Sequence, residues 1–306
     1  MICNFWYKIY SSCKKTLSQY AINGLQRTSD LLGLGHYSPA TQRNYLQELR
    51  FLFAYYPDVK PSDITYEMTL QYLFYLTKTL QCSRVKAKMA AQSMAFFFKQ
   101  VLCKPYQIPG VLYPAHSNKL PAVMSTDEVR QIINSIENIK HKTIISLVYS
   151  TGMRLNEAAN LKMEDIDSKT MRIKVVDGKG KKDRYVPLSI QLLQELRLYY
   201  IQYKPKVYLF NSSKGGIKYS PRSIQHILQQ ALIKLGLQSK NYSIHTLRHS
   251  FATHLLDNGA DLQVIQQLMG HHHIAQTVQY LHLTDKRFKT LVNPYDLLFD
   301  TAGAVK

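Results

Sequence analysis

Residues 245 to 280 read HTLRHSFATHLLDNGADLQVIQQLMGHHHIAQTVQY, and this stretch organises the C-terminal half of the chain. Apolar residues at helical spacing predict one helix over residues 245–257 and a second over residues 262–269. Asp261 is a typical N-cap for the second helix, and Gly270 is a typical residue to end it. Tyr280 then lies on a third, short helix. The stretch therefore predicts helices joined by tight turns.

Four side chains in this stretch suit chemistry on a phosphate ester. His245 and Arg248 stand three residues apart and so share one face of a helix. Arginine binds phosphate through a planar, permanently charged fork, and histidine can move a proton near neutral pH. His271 follows the predicted turn at Gly270, and Tyr280 can act as a nucleophile if nearby cations or a base activate its phenol.

The other histidines of the stretch are predicted to be secondary. His249 points about a quarter turn or more away from the arginine beside it, and His254 is interpreted as structural. His271, His272 and His273 are adjacent, so they cannot all face one ion, and no carboxylate or cysteine cluster accompanies them. We therefore expect no metal and no cofactor, with His272 and His273 in contact with solvent or DNA.

The composition points to an anionic partner. The chain has 306 residues and a formal net charge of +19. A charge so far from zero favours nucleic acid, a membrane surface or an acidic protein as the partner over a merely solvated basic surface. A basic amphipathic helix suited to a membrane surface is missing from the sequence pattern. With 45% hydrophobic residues, the chain can build one large core or two ordinary ones.

The cysteines and the lack of long apolar runs bear on the compartment. No run of about 20 apolar residues suited to a membrane span occurs, and we do not expect a signal peptide. Cys3, Cys13, Cys82 and Cys103 form no CxxC pair, which favours free thiols in a reducing cytosol over disulfides or a zinc site. We expect a cytoplasmic, nucleoid-associated protein.

The N-terminal half is predicted to be a small helical bundle. A short amphipathic helix before Gly24 precedes a glycine-containing loop. Ser38, Thr65 and Ser83 are then N-caps of three helices that run to about residues 56, 78 and 102. No strand pattern occurs before residue 105. The apolar residues that we expect the second of these three helices to bury are Leu70, Leu73 and Phe74.

Basic residues mark the surface of this bundle. The helix behind the third cap carries Arg84, Lys86 and Lys88 in its first turns, where cations and a helix start suit contact with DNA phosphates. Arg43 and Arg50 lie off the apolar stripe of an earlier helix. A solvated basic face is the alternative interpretation for these residues.

Residues 104–121, KPYQIPGVLYPAHSNKLP, contain four prolines and no periodic pattern, as is typical of a domain boundary. We predict a helical domain over residues 1–110, whose basic face suits DNA binding, and a linker over residues 111–121. A catalytic domain with a C-terminal tail is predicted over residues 122–306.

The C-terminal half combines helices with a short region of strand periodicity. Ser125 and Glu128 form a capping box before a helix. MRIKVV at residues 171–176 and YVPL at residues 185–188 predict a β-hairpin with the basic tip DGKGKKDR. Helices behind the caps Ser189 and Ser220 follow. The predicted fold is mainly α with a small β-sheet or hairpin: a helical bundle, then an α+β catalytic domain.

Three blocks of sequence resemble the signature blocks of the tyrosine recombinase (phage integrase) family. They are STGMRLNEAANL at residues 150–161, the stretch from residue 245 to 271, and TVQYLH at residues 277–282. The resemblance is strong over residues 121–285 and looks closest to Xer-type recombinases and to integron and transposon integrases. The N-terminal half resembles the family's core-binding domain in layout only.

The resemblance implies roles for individual residues. Tyr280 matches the nucleophile, and Lys179 in the hairpin tip matches the general acid for the leaving 5′-oxygen, with Lys181 and Lys182 as phosphate contacts that could replace it. Glu157 matches an acidic position that supports the site. The remaining residues that match catalytic positions are Arg154, His245, Arg248 and His271.

The implied function is site-specific strand exchange on double-stranded DNA, for integration, excision or resolution, without metal or ATP. The resemblance also implies paired core sites, a dimer on each site and a homotetramer in the synapse, with two domains that clamp the duplex. A nicking-closing enzyme like a type IB topoisomerase is one alternative. A catalytically idle DNA-binding regulator on the same scaffold is the other.

Overall fold

Two compact units make up the chain. The structure, a computed structural model, describes residues 17–110, 121–176, 183–212 and 217–283. Backbone contacts divide the chain into Met1–Ser117 and Asn118–Lys306. The predicted linker lies almost wholly outside the described residues, so the predicted domain boundaries stay predictions. Within the described residues, no helix is both long and apolar enough to cross a lipid bilayer.

Four α-helices form the described part of the N-terminal unit. Each begins behind a hydroxyl side chain that accepts a backbone N–H, which confirms the predicted caps Ser38, Thr65 and Ser83. The last two helices continue into the π-helical turns Tyr75–Thr79 and Phe97–Val101. The four helices are α1 Gln19–Leu34, α2 Pro39–Tyr55, α3 Tyr66–Phe74 and α4 Arg84–Phe96.

Two predictions in this unit are wrong. Helix α1 runs through Gly24 instead of ending before it, because the helix packs against the Phe97 ring at this point. Leu70 and Phe74 are 38% and 63% exposed, whereas Tyr72 is only 2% exposed. The core-facing side of α3 therefore includes Tyr72, which was left out of the predicted apolar face.

The described part of the C-terminal unit combines eight α-helices with a small sheet. The capping box of Ser125 with Glu128 and the caps Ser189 and Ser220 are confirmed. The helices are α5 Thr126–Ser135, α6 Ile139–Thr151, α7 Leu155–Asn160, α8 Ile190–Tyr203, α9 Pro221–Lys234, α10 Ile244–Asp257, α11 Leu262–Met269 and α12 Ala275–Val278. A 3₁₀ turn, Gln279–Leu283, carries Tyr280.

The sheet is antiparallel, with strand order β1-β2-β3. The strands are β1 Ile166–Asp167, β2 Arg172–Val175 and β3 Arg184–Pro187, so the stem of the predicted hairpin is confirmed. Ile173 pairs with Val186 at its centre. Strand β1 was not predicted, because two residues are too few to show alternation. The mainly helical fold with a small sheet is confirmed.

The C-terminal unit has a large core and a smaller one beside the site. The large core packs α6 against the sheet and α9, and includes Ile144, Ile173 and Val186. The smaller core joins α10 and α11 through Phe251 and Met269, and includes the tyrosine predicted as the nucleophile. The position of this tyrosine is therefore set by packing between two helices.

Candidate active site

Two arginines are bound by carbonyl groups at helix ends. Arg248 on α10 is 5% exposed and donates to the carbonyls of Gly152 and Met269. Arg154 donates from Nη2 to the carbonyl of Gly270 over 2.8 Å. These carbonyls lie at the ends of α6 and α11, where the backbone lacks partners within the helix and the helix dipole favours cations. Burial and the charge of Arg154 lower the pKa of Arg248 to about 10, so it remains charged at neutral pH.

Glu157 connects the first of these arginines to the β-hairpin. Its carboxylate accepts the backbone N–H of Arg154 over 2.8 Å and a guanidinium N–H of the same residue over 2.9 Å. Arg184 on β3 donates to both oxygens of the same carboxylate, over 3.0 and 2.7 Å. Burial raises the pKa of Glu157, but the bonds from Arg184 and Arg154 outweigh it and lower the pKa to about 2. The carboxylate is thus ionised and positions Arg154.

Arg184 is absent from the predicted site residues. Its Nε also donates to the carbonyl of Leu268 over 2.8 Å, so one side chain joins the hairpin stem, α11 and Glu157. The side chain is only 11% exposed. Its signal in the sequence is weak, because it stands at the end of a run of cations that predicts a solvated tip. Only the packing of β3 beside α11 turns this arginine inward.

Tyr280 is fully buried, with 0% of its surface exposed. Its Oη lies 3.0 Å from Nδ1 of His249, and its ring lies at 14° to the ring of His271, with 6.2 Å between centroids. Burial raises the pKa of Tyr280 to about 12, although the charges of Arg248 and Arg154 oppose that rise. The phenol is therefore protonated at neutral pH and must lose its proton when it attacks.

The two predicted histidines have different surroundings. His271 is half-buried, and its Nδ1 forms a hydrogen bond of 2.9 Å with Oγ1 of Thr277. Burial, aided by the charge of Arg248, lowers the pKa of His271 to about 4. His245 is exposed in the first turn of α10. At neutral pH, His271 is therefore a neutral group inside the site, and His245 lies at its solvent-facing edge.

His249, which the sequence predicts to be secondary, lies against the tyrosine hydroxyl instead. The angle between His249 and Arg248 around the helix does not decide whether His249 faces the site. Residues 245, 248 and 249 have the i, i+3, i+4 spacing of one helical face. That spacing is the signal that identifies His249. Burial lowers the pKa of His249 to about 4, and the charges of Arg248 and His245 add to this.

The remaining predicted residues are placed unevenly. Lys179, Lys181 and Lys182 lie outside the described residues. His272 and His273 are exposed at the start of the turn before α12. Over the described ranges, no group of three or more His, Cys, Asp or Glu side chains is arranged to hold a metal ion.

The predicted DNA contacts of the N-terminal unit differ in environment. Arg43, Arg50 and Arg84 are exposed. Lys86 instead forms an ion pair with Glu48, which is 5% exposed. The Nζ of Lys86 also lies 5.0 Å from the centre of the Phe51 ring. Lys88, on the same helix, is partly exposed.

Two family models match the chain. The model described as the phage integrase family matches residues 122–287, and that of the phage integrase N-terminal SAM-like domain matches residues 25–108. The chain belongs to the phage integrase family. Together the two matches cover both compact units.

Relatives of this integrase share most of its length. The Sinorhizobium fredii protein y4qK, whose name assigns it provisionally to the integrases and recombinases, is 35% identical over 89% of this chain and 88% of its own. A tyrosine recombinase of Pseudothermotoga lettingae is 30% identical over 77% of this chain and 84% of its own. The post-cleavage structure of the XerH recombinase on a palindromic difH substrate has the same fold, with a TM-score of 0.68, 22% identity and coverage of 95% and 94%.

The geometry of this integrase brings four of the predicted catalytic residues to one place, Arg154, Arg248, His271 and Tyr280, with His245 at the edge. Two cations fixed by carbonyls can bind the non-bridging oxygens of one phosphate. A buried phenol with neutral imidazoles beside it can act as a nucleophile and exchange a proton. The site is therefore equipped for nucleophilic substitution at a phosphodiester.

Proposed function

We propose that this integrase is a site-specific tyrosine recombinase that cuts and rejoins duplex DNA through a covalent 3′-phosphotyrosine link. The observation that carries the proposal is the position of Tyr280, with its hydroxyl against one histidine, its ring on another, and two arginine charges close by. Family membership and the tyrosine recombinases among the relatives support it. Double-stranded DNA is the proposed substrate.

Arg154 and Arg248 supply the positive charge that cleavage requires. Negative charge accumulates on the non-bridging oxygens as the phosphorus gains a fifth ligand. Each arginine uses some of its five N–H groups on carbonyls or Glu157 and has others left for phosphate. Because the guanidinium groups are already fixed, they stabilise this charge without rearrangement, and removal of either should slow cleavage by about 10² to 10³-fold.

Tyr280 attacks the phosphorus, and the P–O5′ bond breaks. Lys179 is the proposed general acid that protonates the leaving 5′-oxygen. The free 5′-hydroxyl of a partner strand then attacks the phosphotyrosine and releases Tyr280. One ester replaces another at each step, so rejoining needs neither ATP nor a cofactor.

The assembly is proposed from the family resemblance. We propose a dimer on each of two paired core sites and a homotetramer in the synapse, acting on nucleoid DNA in the cytoplasm. The proposed phosphate contacts are Arg43, Arg84 and Lys88, with Lys181 and Lys182 in the hairpin tip. The segment after Tyr280, most of which lies outside the described residues, would dock on a neighbouring protomer, with packing onto its own domain as the alternative.

The test separates binding from cleavage. A library of randomised duplexes is first selected for binding to full-length Tyr280→Phe, which defines the target site without cutting it. Wild type is then incubated with nicked suicide duplexes of the selected sequence, and covalent adducts are separated on denaturing gels. We expect an adduct from wild type and none from Tyr280→Phe. Tyr149→Phe is the matched control, because Tyr149 also hydrogen-bonds a histidine of α10, His254, over 2.9 Å.

Other outcomes identify the alternatives. Site-selective binding without any wild-type adduct would favour an idle regulator. Relaxation of supercoiled plasmids that lack the selected site would favour a topoisomerase-like enzyme. An adduct that persists in Tyr280→Phe would reject Tyr280 as the nucleophile.

A further inference from the structure

We propose that His249 accepts the proton of the Tyr280 hydroxyl during cleavage and returns it during rejoining. This inference rests on the proposed function and names the base that the proposed cleavage step requires. The geometry that carries it is the 3.0 Å hydrogen bond between Nδ1 of His249 and Oη of Tyr280, inside a core where the tyrosine is fully buried.

Neither of the other two histidines is placed for this role. His271 lies with its ring nearly parallel to that of Tyr280, and its Nδ1 is bonded to Thr277. His245 is exposed on the first turn of α10. Among the three, His249 alone forms a hydrogen bond with the attacking oxygen in the described structure.

The charges around His249 keep its ring neutral and able to accept a proton. Arg248 and His245 face it from its own helix, and His271 and Tyr280 face it from the segment after α11. Burial, with the charges of Arg248 and His245, holds the pKa of His249 near 4. When phosphate binds the arginines, its negative charge offsets theirs and favours the protonated imidazole at the moment of transfer.

The step balances as follows. With its own proton on Nε2, His249 uses the lone pair of Nδ1 to take the proton from Oη of Tyr280. The Oη–P bond forms as the P–O5′ bond breaks, and the 5′-oxygen takes a proton from the general acid. In rejoining, a 5′-hydroxyl attacks phosphorus, its proton returns to that acid, and the Oη that leaves regains its proton from Nδ1.

Single-turnover adduct formation tests the assignment on the selected nicked duplex. His249→Asn retains a hydrogen-bonding group near the position of Nδ1 but cannot act as a base. His249→Ala removes both the hydrogen-bonding group and the base. If His249 is the base, both variants should slow adduct formation by about 10² to 10⁴-fold. Added imidazole should partly restore His249→Ala. The matched control is His254→Asn. His254 is on the same helix as His249 and forms a similar hydrogen bond with Tyr149, so this variant should keep the wild-type rate.

A second substrate separates base from acid. A duplex with sulfur in place of the scissile 5′-bridging oxygen releases a thiolate, which leaves without being protonated. Lys179→Ala should be rescued on this duplex, whereas His249→Asn should remain slow.

Three results would overturn the proposal. Full activity in His249→Asn with a loss in His249→Ala would show that His249 only positions Tyr280. A faster adduct in His249→Ala would show that the bond restrains the tyrosine. Rescue of His249→Asn by the sulfur duplex would assign His249 to the acid side. These tests begin only after wild type has formed an adduct that depends on Tyr280, so failure of the proposed function is recognised separately. Thermal unfolding checks that each variant folds.

Discussion

Gly152 is required for two reasons at the residue scale. It ends α6 with a left-handed φ of +61°, and a Cβ there would lie 2.4 Å from the ring of Phe251. Its carbonyl also accepts a hydrogen bond from Arg248. Because the ring cannot retreat without disturbing the core beside Tyr280, this glycine couples packing to the position of the buried arginine.

We expect Gly152→Ala to destabilise the protein by about 3 kcal/mol, from backbone strain together with the clash. Gly236→Ala is the matched control, because Gly236 also has a left-handed φ, +69°, but has no atom within 4 Å of its Cβ position. It should cost about 1 kcal/mol. Thermal unfolding measures both, and equal losses would show that the clash with Phe251 does not matter.

The stability of the protein should depend on pH through His249. Its pKa is near 4 in the folded chain against an ordinary value of 6.5, so the unfolded chain binds this proton first as the pH falls. The contribution of neutral His249 to the stability of the fold is fully present above about pH 6.5 and is lost as the pH falls toward 4. After allowance for solvent screening, we expect wild type to lose about 1 kcal/mol relative to His249→Asn between pH 7 and pH 5. A difference between the two proteins that is independent of pH would contradict this.

At the scale of elements, strand β3 and helix α11 are joined by Arg184. One guanidinium binds both oxygens of Glu157 and the carbonyl of Leu268. Helix α11 in turn presents the carbonyls that bind Arg248 and, at its C-terminal glycine, Arg154. A displacement of the hairpin stem would therefore be transmitted to both phosphate-binding arginines.

Arg184→Lys should slow adduct formation about 10-fold or more, because lysine cannot form the paired bonds to Glu157 and Arg154 loses its fixed orientation. Affinity for the selected duplex should change little. Arg172→Lys is the matched control, since Arg172 is exposed on the neighbouring strand β2. Equal rates for the two variants would argue against the role of Arg184 in positioning.

Element boundaries could be predicted where the signal is local. Ser38, Thr65, Ser83 and Asp261 cap helices as predicted, because a cap depends on a side chain and the backbone a few residues away. The path of α1 through Gly24 could not be predicted in the same way. It depends on packing against Phe97, which lies far along the chain.

At the scale of the whole molecule, the net charge of +19 should make DNA binding strongly dependent on salt. Individual basic residues do not contribute equally to that salt dependence. Lys86 forms an ion pair with Glu48. Burial raises the pKa of Glu48, although the charge of Lys86 opposes that rise. Arg84, two residues earlier, is exposed.

We expect Arg84→Gln to reduce the slope of log affinity against log salt by about one, the value for one lost phosphate contact. Lys86→Gln should leave that slope nearly unchanged and lower the stability of the protein instead, because it leaves Glu48 buried without its cation. Titrations of the selected duplex at several salt concentrations measure the slopes. A larger change from Lys86→Gln than from Arg84→Gln would reverse this assignment.

The sequence was enough to predict the mainly helical fold, the hairpin stem and four residues that meet in the site, Arg154, Arg248, His271 and Tyr280. These follow from local periodicity, caps and motif spacing. The contact of His249 with Tyr280, the inward turn of Arg184 to Glu157 and the pairing of Lys86 within its own unit were visible only in the folded chain. The physical reason is that burial and partnership depend on residues distant in the chain. Spacing places a side chain on a face of its helix, and packing decides what that face meets.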